Sequence, residues 1–251
     1  MLDTLATISA AASSTSAAIA FPLSLRRAWP RDTSRLGVQY VDAAGHTIPG
    51  QWHADTAETR SLFRKLTRQG HSALLAEAGE SLVVLQPGGA ENKLPALAAL
   101  LARRGAVLVT HRPGRRAVVQ LAAAEGVRFA KALRPSRAGR VLRANRFVEV
   151  LADRAFGVAV IEEADEAEGL LTMRSLPGRN LHALARDDAE AFVEGCRAAG
   201  RALRSLHVPA PAWLPVHDAQ AEIAMLQERL ASVERFVPEL HSAIAQAFSL
   251  V

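Results

Sequence analysis

Between Ala106 and Leu133 the chain carries three short apolar runs separated by turn signals, and no other stretch restricts the fold as much. Ala106 to Thr110, Ala117 to Leu121 and Val127 to Leu133 have the length and apolar character of strands. His111 to Arg115 and Ala124-Glu125-Gly126 supply the turns between them. Strands joined by turns this short pair as an antiparallel meander. The period-two alternation of the third run puts Val127, Phe129, Lys131 and Leu133 on one face. Lys131 is one of only three lysines, with Lys65 and Lys93, in a chain whose positive charge is almost wholly arginine. A lysine on an apolar strand face costs free energy unless it is paired or faces a polar cleft. Lys131 is therefore either a phosphate-binding cation or a structural, solvated one, and the pattern alone admits both.

The continuation extends this unit. Pro135-Ser136 ends the third strand, and Arg137 to Arg154 carries Val141, Ala144, Val148 and Leu151 as a helical stripe with Glu149 beside it, a plausible partner for Lys131. Val158 to Ile161 and Leu170 to Met173 read as two further strands joined by the acidic turn Glu162 to Glu168. Past Pro177-Gly178 the pattern turns helical. Asp187 and Glu190 form a capping-box-like start, and Phe192, Cys196, Ala199, Leu203 and Leu206 form a stripe that puts Cys196 in a core. Asp218 caps a helix to Phe236 that buries Ile223, Leu226, Leu230 and Val233, and a last helix follows Pro238. Upstream, Leu36 to Trp52 reads as a hairpin turning at Ala44-Gly45, Ala57 to Gln69 as a helix, Ser81 to Gln86 as a strand and Leu94 to Arg104 as a helix. Together these suggest a separate α+β unit.

Composition narrows the function classes. The net charge of +5 invites a nucleic-acid reading. The arginines are dispersed and aromatics make up only 5% of the chain, so phosphate-bearing small ligands fit the local clusters better, and no nucleic-acid partner is expected. The single cysteine, Cys196, excludes an internal disulfide framework, offers no metal-ligand spacing and fits a cytoplasmic setting. The Ala/Ser-rich run from Ala6 to Ala20 follows Asp3 without a basic opening, so it reads as a disordered or loosely helical start and not as a signal peptide. No membrane partner is expected. The turn Arg112-Pro113-Gly114-Arg115-Arg116 offers guanidinium groups and a glycine where phosphates would lie, or else is an exposed hairpin turn with solvated charges. The histidines show no metal-site spacing, and Trp29, Trp52 and Trp213 read as packing residues.

The order of these elements resembles the small lobe of the aminoglycoside phosphotransferase family, from Ala106 to the end of the chain. His111-Arg112-Pro113-Gly114-Arg115-Arg116-Ala117-Val118-Val119 resembles the family's basic turn and second strand, and Phe129-Ala130-Lys131 its phosphate-binding lysine strand. Leu170-Leu171-Thr172-Met173 into Leu176-Pro177-Gly178-Arg179 resembles the adenine-contacting hinge. Gly200-Arg201-Ala202-Leu203-Arg204-Ser205-Leu206-His207 resembles the end of the first large-lobe helix. Residues 1–105 resemble the N-terminal cap unit of some sugar-kinase relatives.

The resemblance implies an α+β chain with a cap-like unit at 1–105, a protein-kinase-like small lobe at 106–176 (a five-stranded antiparallel sheet plus helix), and a partial helical large lobe at 177–251. It implies ATP with Mg2+ as cofactors and a small-molecule hydroxyl, of an aminoglycoside, sugar or choline-like compound, as acceptor. By resemblance Lys131 holds the α- and β-phosphates, Glu149 orients it, Arg115 lies near the phosphates, and backbone groups at Arg174, Ser175 and Leu176 meet adenine. The sequence has no His-Gly-Asp catalytic loop and none of the metal-holding residues expected after it. His217-Asp218 lacks the glycine and the following asparagine. The expectation is thus a kinase fragment that binds nucleotide without efficient turnover, with apolar helix faces uncovered around Leu226, Leu230 and Phe248. The alternative is a non-catalytic nucleotide-binding or regulatory module.

Overall fold

In the computed structural model the described residues are 4–5, 19–20, 22–78, 80–124, 126–152, 156–209, 211–214 and 216–248. Most of the Ala/Ser run lies outside them, as does the side chain of Phe248. The chain is α+β and divides into two compact units. The first comprises Met1–Asn92, His111–Gly114 and Pro215–Val251, and the second comprises Lys93–Thr110 and Arg115–Leu214.

The first unit is built on a six-stranded antiparallel sheet of β1 (Thr4–Leu5), β2 (Leu23–Asp32), β3 (Arg35–Val41), β4 (Thr47–His53), β5 (Leu74–Ala78) and β6 (Ser81–Leu85), in the order β1-β2-β3-β4-β6-β5. The β3–β4 hairpin forms as the alternation requires, with Tyr40 opposite Ile48 and Leu36 opposite Trp52. Helix α1 (Thr56–Arg68) starts at Asp55, whose carboxylate accepts from the Ala57 N–H. Leu66 of α1 covers Leu75, Leu82 and Val84 on one face of the sheet, while Leu23, Val38, Tyr40, Val83 and Leu85 fill the other. Gly50 is required where β4 meets β6, because a Cβ there would come within 2.8 Å of the Val84 carbonyl oxygen.

Strands β2 and β5 escape a reading by alternation. Leu23–Asp32 carries Arg26-Arg27 and Pro30 and is paired to β3 through two register shifts, so its partner strand sets its conformation more than its own pattern does.

The second sheet joins β7 (Val107–Arg112), β8 (Arg116–Ala123), β9 (Gly126–Leu133), β10 (Ile161–Asp165) and β11 (Leu170–Arg174) in the order β10-β11-β9-β8-β7. Helix α2 (Ala96–Leu101) seats Leu97 and Leu100, with Leu94 just before it, on Ala117, Val119, Leu121, Ala130 and Ala132, closing one face. Helix α3 (Pro135–Ala152) links β9 to β10 and packs Leu142 on Leu133 and Leu171 of the opposite face. Strand β10 starts at Ile161 and takes in Glu162 to Asp165, so Val158 to Val160 are not a strand and the turn is confined to 166–169. Pairing with β11 outweighs the poor strand propensity of the acidic residues.

The helices beyond residue 180 depart further from expectation. Asp187 closes α4 (Leu181–Asp187), and Asp188 instead caps α5 (Ala189–Ser205), accepting from the Ala191 N–H. Asp218 does cap α6 (Ala219–Phe236), accepting from the Ala221 N–H, and α7 is His241–Phe248. Neither α5 nor α6 has a buried residue. Cys196 is exposed, not core, and Leu203 and Leu226 are exposed as well, while Phe192, Ala199, Leu206, Ile223, Leu230 and Val233 of the same stripes are half-buried. Phe236, at the end of α6, packs edge-on to Trp52 with centroids 5.7 Å apart.

Candidate functional site

The face of the second sheet opposite α2 holds the sequence-selected lysine. The β8, β9 and β11 registers align Val118, Lys131 and Leu171 in one row and Gln120, Phe129 and Met173 in the next. On β7, Leu108 turns toward the α2 core, which sends Val107 and Val109 to this same face, where both stay exposed. Lys131 is half-buried, and its side chain has no hydrogen bond or ion pair among the described residues. Burial pushes its ammonium pKa below the ordinary value, and the neighbouring Arg116 guanidinium adds repulsion in the same direction. Two cations thus stand close together over an apolar sheet face, with no ion pair to either among the described residues.

Glu149 lies on the inner side of α3, at helical spacing from the buried Leu142 and Ala152, and that side packs on the sheet face that carries Lys131. The two residues share a layer but make no ion pair. Asn145, one turn earlier, fixes the helix by donating from Nδ2 to the Ala159 carbonyl at 3.2 Å. Phe147 packs edge-on to Trp213, with centroids 5.9 Å apart.

The residues after β11 have mostly committed donors. The Arg174 N–H donates to the Val160 carbonyl and the Ser175 N–H to the Val127 carbonyl. The Arg174 side chain donates from Nε and Nη2 to Glu162 at 3.0 and 2.7 Å, and Glu162 also pairs with Arg128. Of Arg174, Ser175 and Leu176, Leu176 alone has a backbone N–H with no hydrogen bond among the described residues, and its side chain is exposed. Arg115 is exposed at the approach to β8.

One feature of the basic turn was not legible in the sequence. His111, Pro113 and Gly114 are buried, so the turn is not the solvated loop its composition suggests, although Arg115 and Arg116 after it are exposed. Its partners are Glu91, Arg31 and Trp29. Glu91 and Trp29 lie 23 and 85 positions from Gly114 and Gly114's second neighbour Arg112 is the one that meets Trp29, at 5.9 Å from the ring. An isolated glutamate and tryptophan at such separations give no spacing signal to read.

Among the described residues no group of three or more His, Cys, Asp or Glu side chains is placed to hold a metal ion. No step is assigned to a metal ion. No described helix is long and apolar enough to cross a membrane. Compared with known proteins, the chain matches no family model, no curated protein and no solved structure.

Proposed function

We propose that this chain carries the nucleotide-binding lobe of an ATP-dependent small-molecule phosphotransferase, and that by itself it binds nucleotide without transferring phosphate. The observation that carries the reading is the uncompensated Lys131 on the sheet face that α3 also packs against, within a strand order in which one helix separates the third strand from the fourth. That order is the one expected of a kinase-like small lobe. A cation that burial disfavours gains most from an anionic ligand, because a phosphate supplies the missing counter-charge and hydrogen bonds together. Val107, Val109, Val118, Phe129 and Met173 offer the apolar surface a purine base would cover. Glu149, on the inner side of α3, is the residue proposed to orient the ammonium.

The acceptor is proposed only as a small hydroxyl compound. The non-catalytic alternative has the same binding face and differs in whether a larger assembly supplies the transfer groups. The test is calorimetric titration of the chain with ATP, with and without Mg2+. Binding is expected in both, weakened at least about tenfold by Lys131→Ala, the scale of losing one charge-assisted hydrogen bond. ATP affinity that Lys131→Ala leaves unchanged would remove the site assignment.

A further inference from the structure

A carboxylate taken out of water must be met by donors, and a hairpin turn ordinarily stays in water. The first unit does the opposite with both. The side chains of Glu91 and His111 are each 1% exposed, and Pro113 and Gly114 are buried with them. Glu91 accepts from the Gly114 N–H, and its Oε2 lies 3.2 Å from His111 Nε2, while its Oε1 accepts from the Asn92 N–H at 2.7 Å. Arg31 donates to the Pro113 carbonyl, and the Arg112 guanidinium lies 5.9 Å from the Trp29 ring centroid. Every residue of the turn from His111 to Gly114 is therefore gripped by a side chain from β2 or from the segment just before α2. Gly114 has a φ of 65°, a conformation that other residues adopt only under strain, so the turn has one defined path at the point where the carboxylate holds it.

We propose that Glu91 is a positioning residue that sets the conformation of the basic turn and, through it, the entry of β8. Arg116 lies two residues past the gripped glycine and opposite Leu133, diagonal to Lys131 on the same face. A turn free to move would leave the Arg116 guanidinium without a fixed place beside Lys131. The carboxylate acts as an internal anion for the turn's amide: it satisfies that donor from the protein side and leaves the two cations of the open face for a ligand. Only the ligand consequence rests on the nucleotide reading, whereas the grip itself does not.

Amide hydrogen exchange on the full chain tests the grip directly. In the unsubstituted protein the Gly114 amide is expected to exchange at least about tenfold more slowly than that of Gly45, whose turn is exposed. Glu91→Ala should speed Gly114 by about tenfold or more and leave Gly45 unchanged, and Glu91→Gln, which keeps an acceptor oxygen, should restore most of the protection. ATP affinity should fall with Glu91→Ala and recover with Glu91→Gln, a split that a general loss of stability does not give. Equal exchange at Gly114 and Gly45 in the unsubstituted chain overturns the proposal. So does tighter ATP binding by Glu91→Ala, which would make the carboxylate a competitor of phosphate. If Glu91→Ala does not fold, the unsubstituted protein and Glu91→Gln decide the matter by exchange alone. If the unsubstituted protein binds no ATP, the nucleotide reading fails, and Gly114 exchange still decides the role of Glu91.

Discussion

In the first unit the sheet is packed on both sides, by Tyr40, Val83 and Leu85 on one face and through α1 by Leu66, Leu82 and Val84 on the other. In the second unit α2 seats Leu97 and Leu100 on a buried cluster at one face, while on the other α3 packs on Leu133 and Leu171, with Ile161 half-buried against them. The remaining rows of that face, Val118, Lys131, Gln120, Phe129 and Met173, are half-buried apart from any core cluster. A sheet that stops short of closing has surface left for a ligand. The half-buried Lys131 ammonium, disfavoured by desolvation, stands on that surface and not in either buried core. The contrast separates residues selected for packing from residues whose environment works against the fold, and the latter are where function is sought.

The largest expected effect breaks the comparison at its closed end. Leu85→Ala should cost about 2–5 kcal/mol in chemical denaturation, whereas Val118→Ala on the open face should cost well under half as much, because a half-exposed site leaves no sealed cavity. Similar costs at both positions would mean that the open face is packed after all.

A smaller effect sharpens the contrast by reversing its sign. Lys131→Met should raise the melting temperature by about 2–4 °C, since it removes a cation that burial and Arg116 disfavour, while it weakens ATP binding at least about tenfold. The folded pKa of Lys131 lies below its ordinary 10.5, so between the two values the unfolded chain binds more protons and stability rises with pH. Denaturation curves through the alkaline range should show that rise in the unsubstituted protein and lose it in Lys131→Met. A fall in stability on substitution would make Lys131 a packing residue.

The smallest effect lies at the rim of the first sheet, where the Arg35 guanidinium beside Asp32 holds its carboxyl down to about 2 against an ordinary 3.8. The stabilisation is complete above the ordinary value and is lost as pH falls toward about 2. Both side chains are partly solvated, so Asp32→Asn should flatten acid unfolding only slightly, which a pH titration of the denaturation midpoint would detect.

The sequence by itself determined the elements whose pattern is internal to them. The β3–β4 hairpin, α1, β7 to β9, α3 and the Asp218 cap follow from period-two or helical spacing, turn residues and a capping carboxylate, all within a few positions of one another. Lys131 stood out for the same reason, as a charge on an otherwise apolar strand face. Only the tertiary structure decided the rest, because it depended on partners far away in the chain. Strand β2 exists through its pairing with β3, and β10 takes up an acidic run because β11 offers it a ladder. Cys196 has the spacing of a core residue but is exposed. The burial of Pro113 and Gly114 depends on Glu91 and Arg31 arriving from elsewhere, which no local pattern encodes. Burial is a property of what packs against a residue, and spacing along the chain reports only which face it shares.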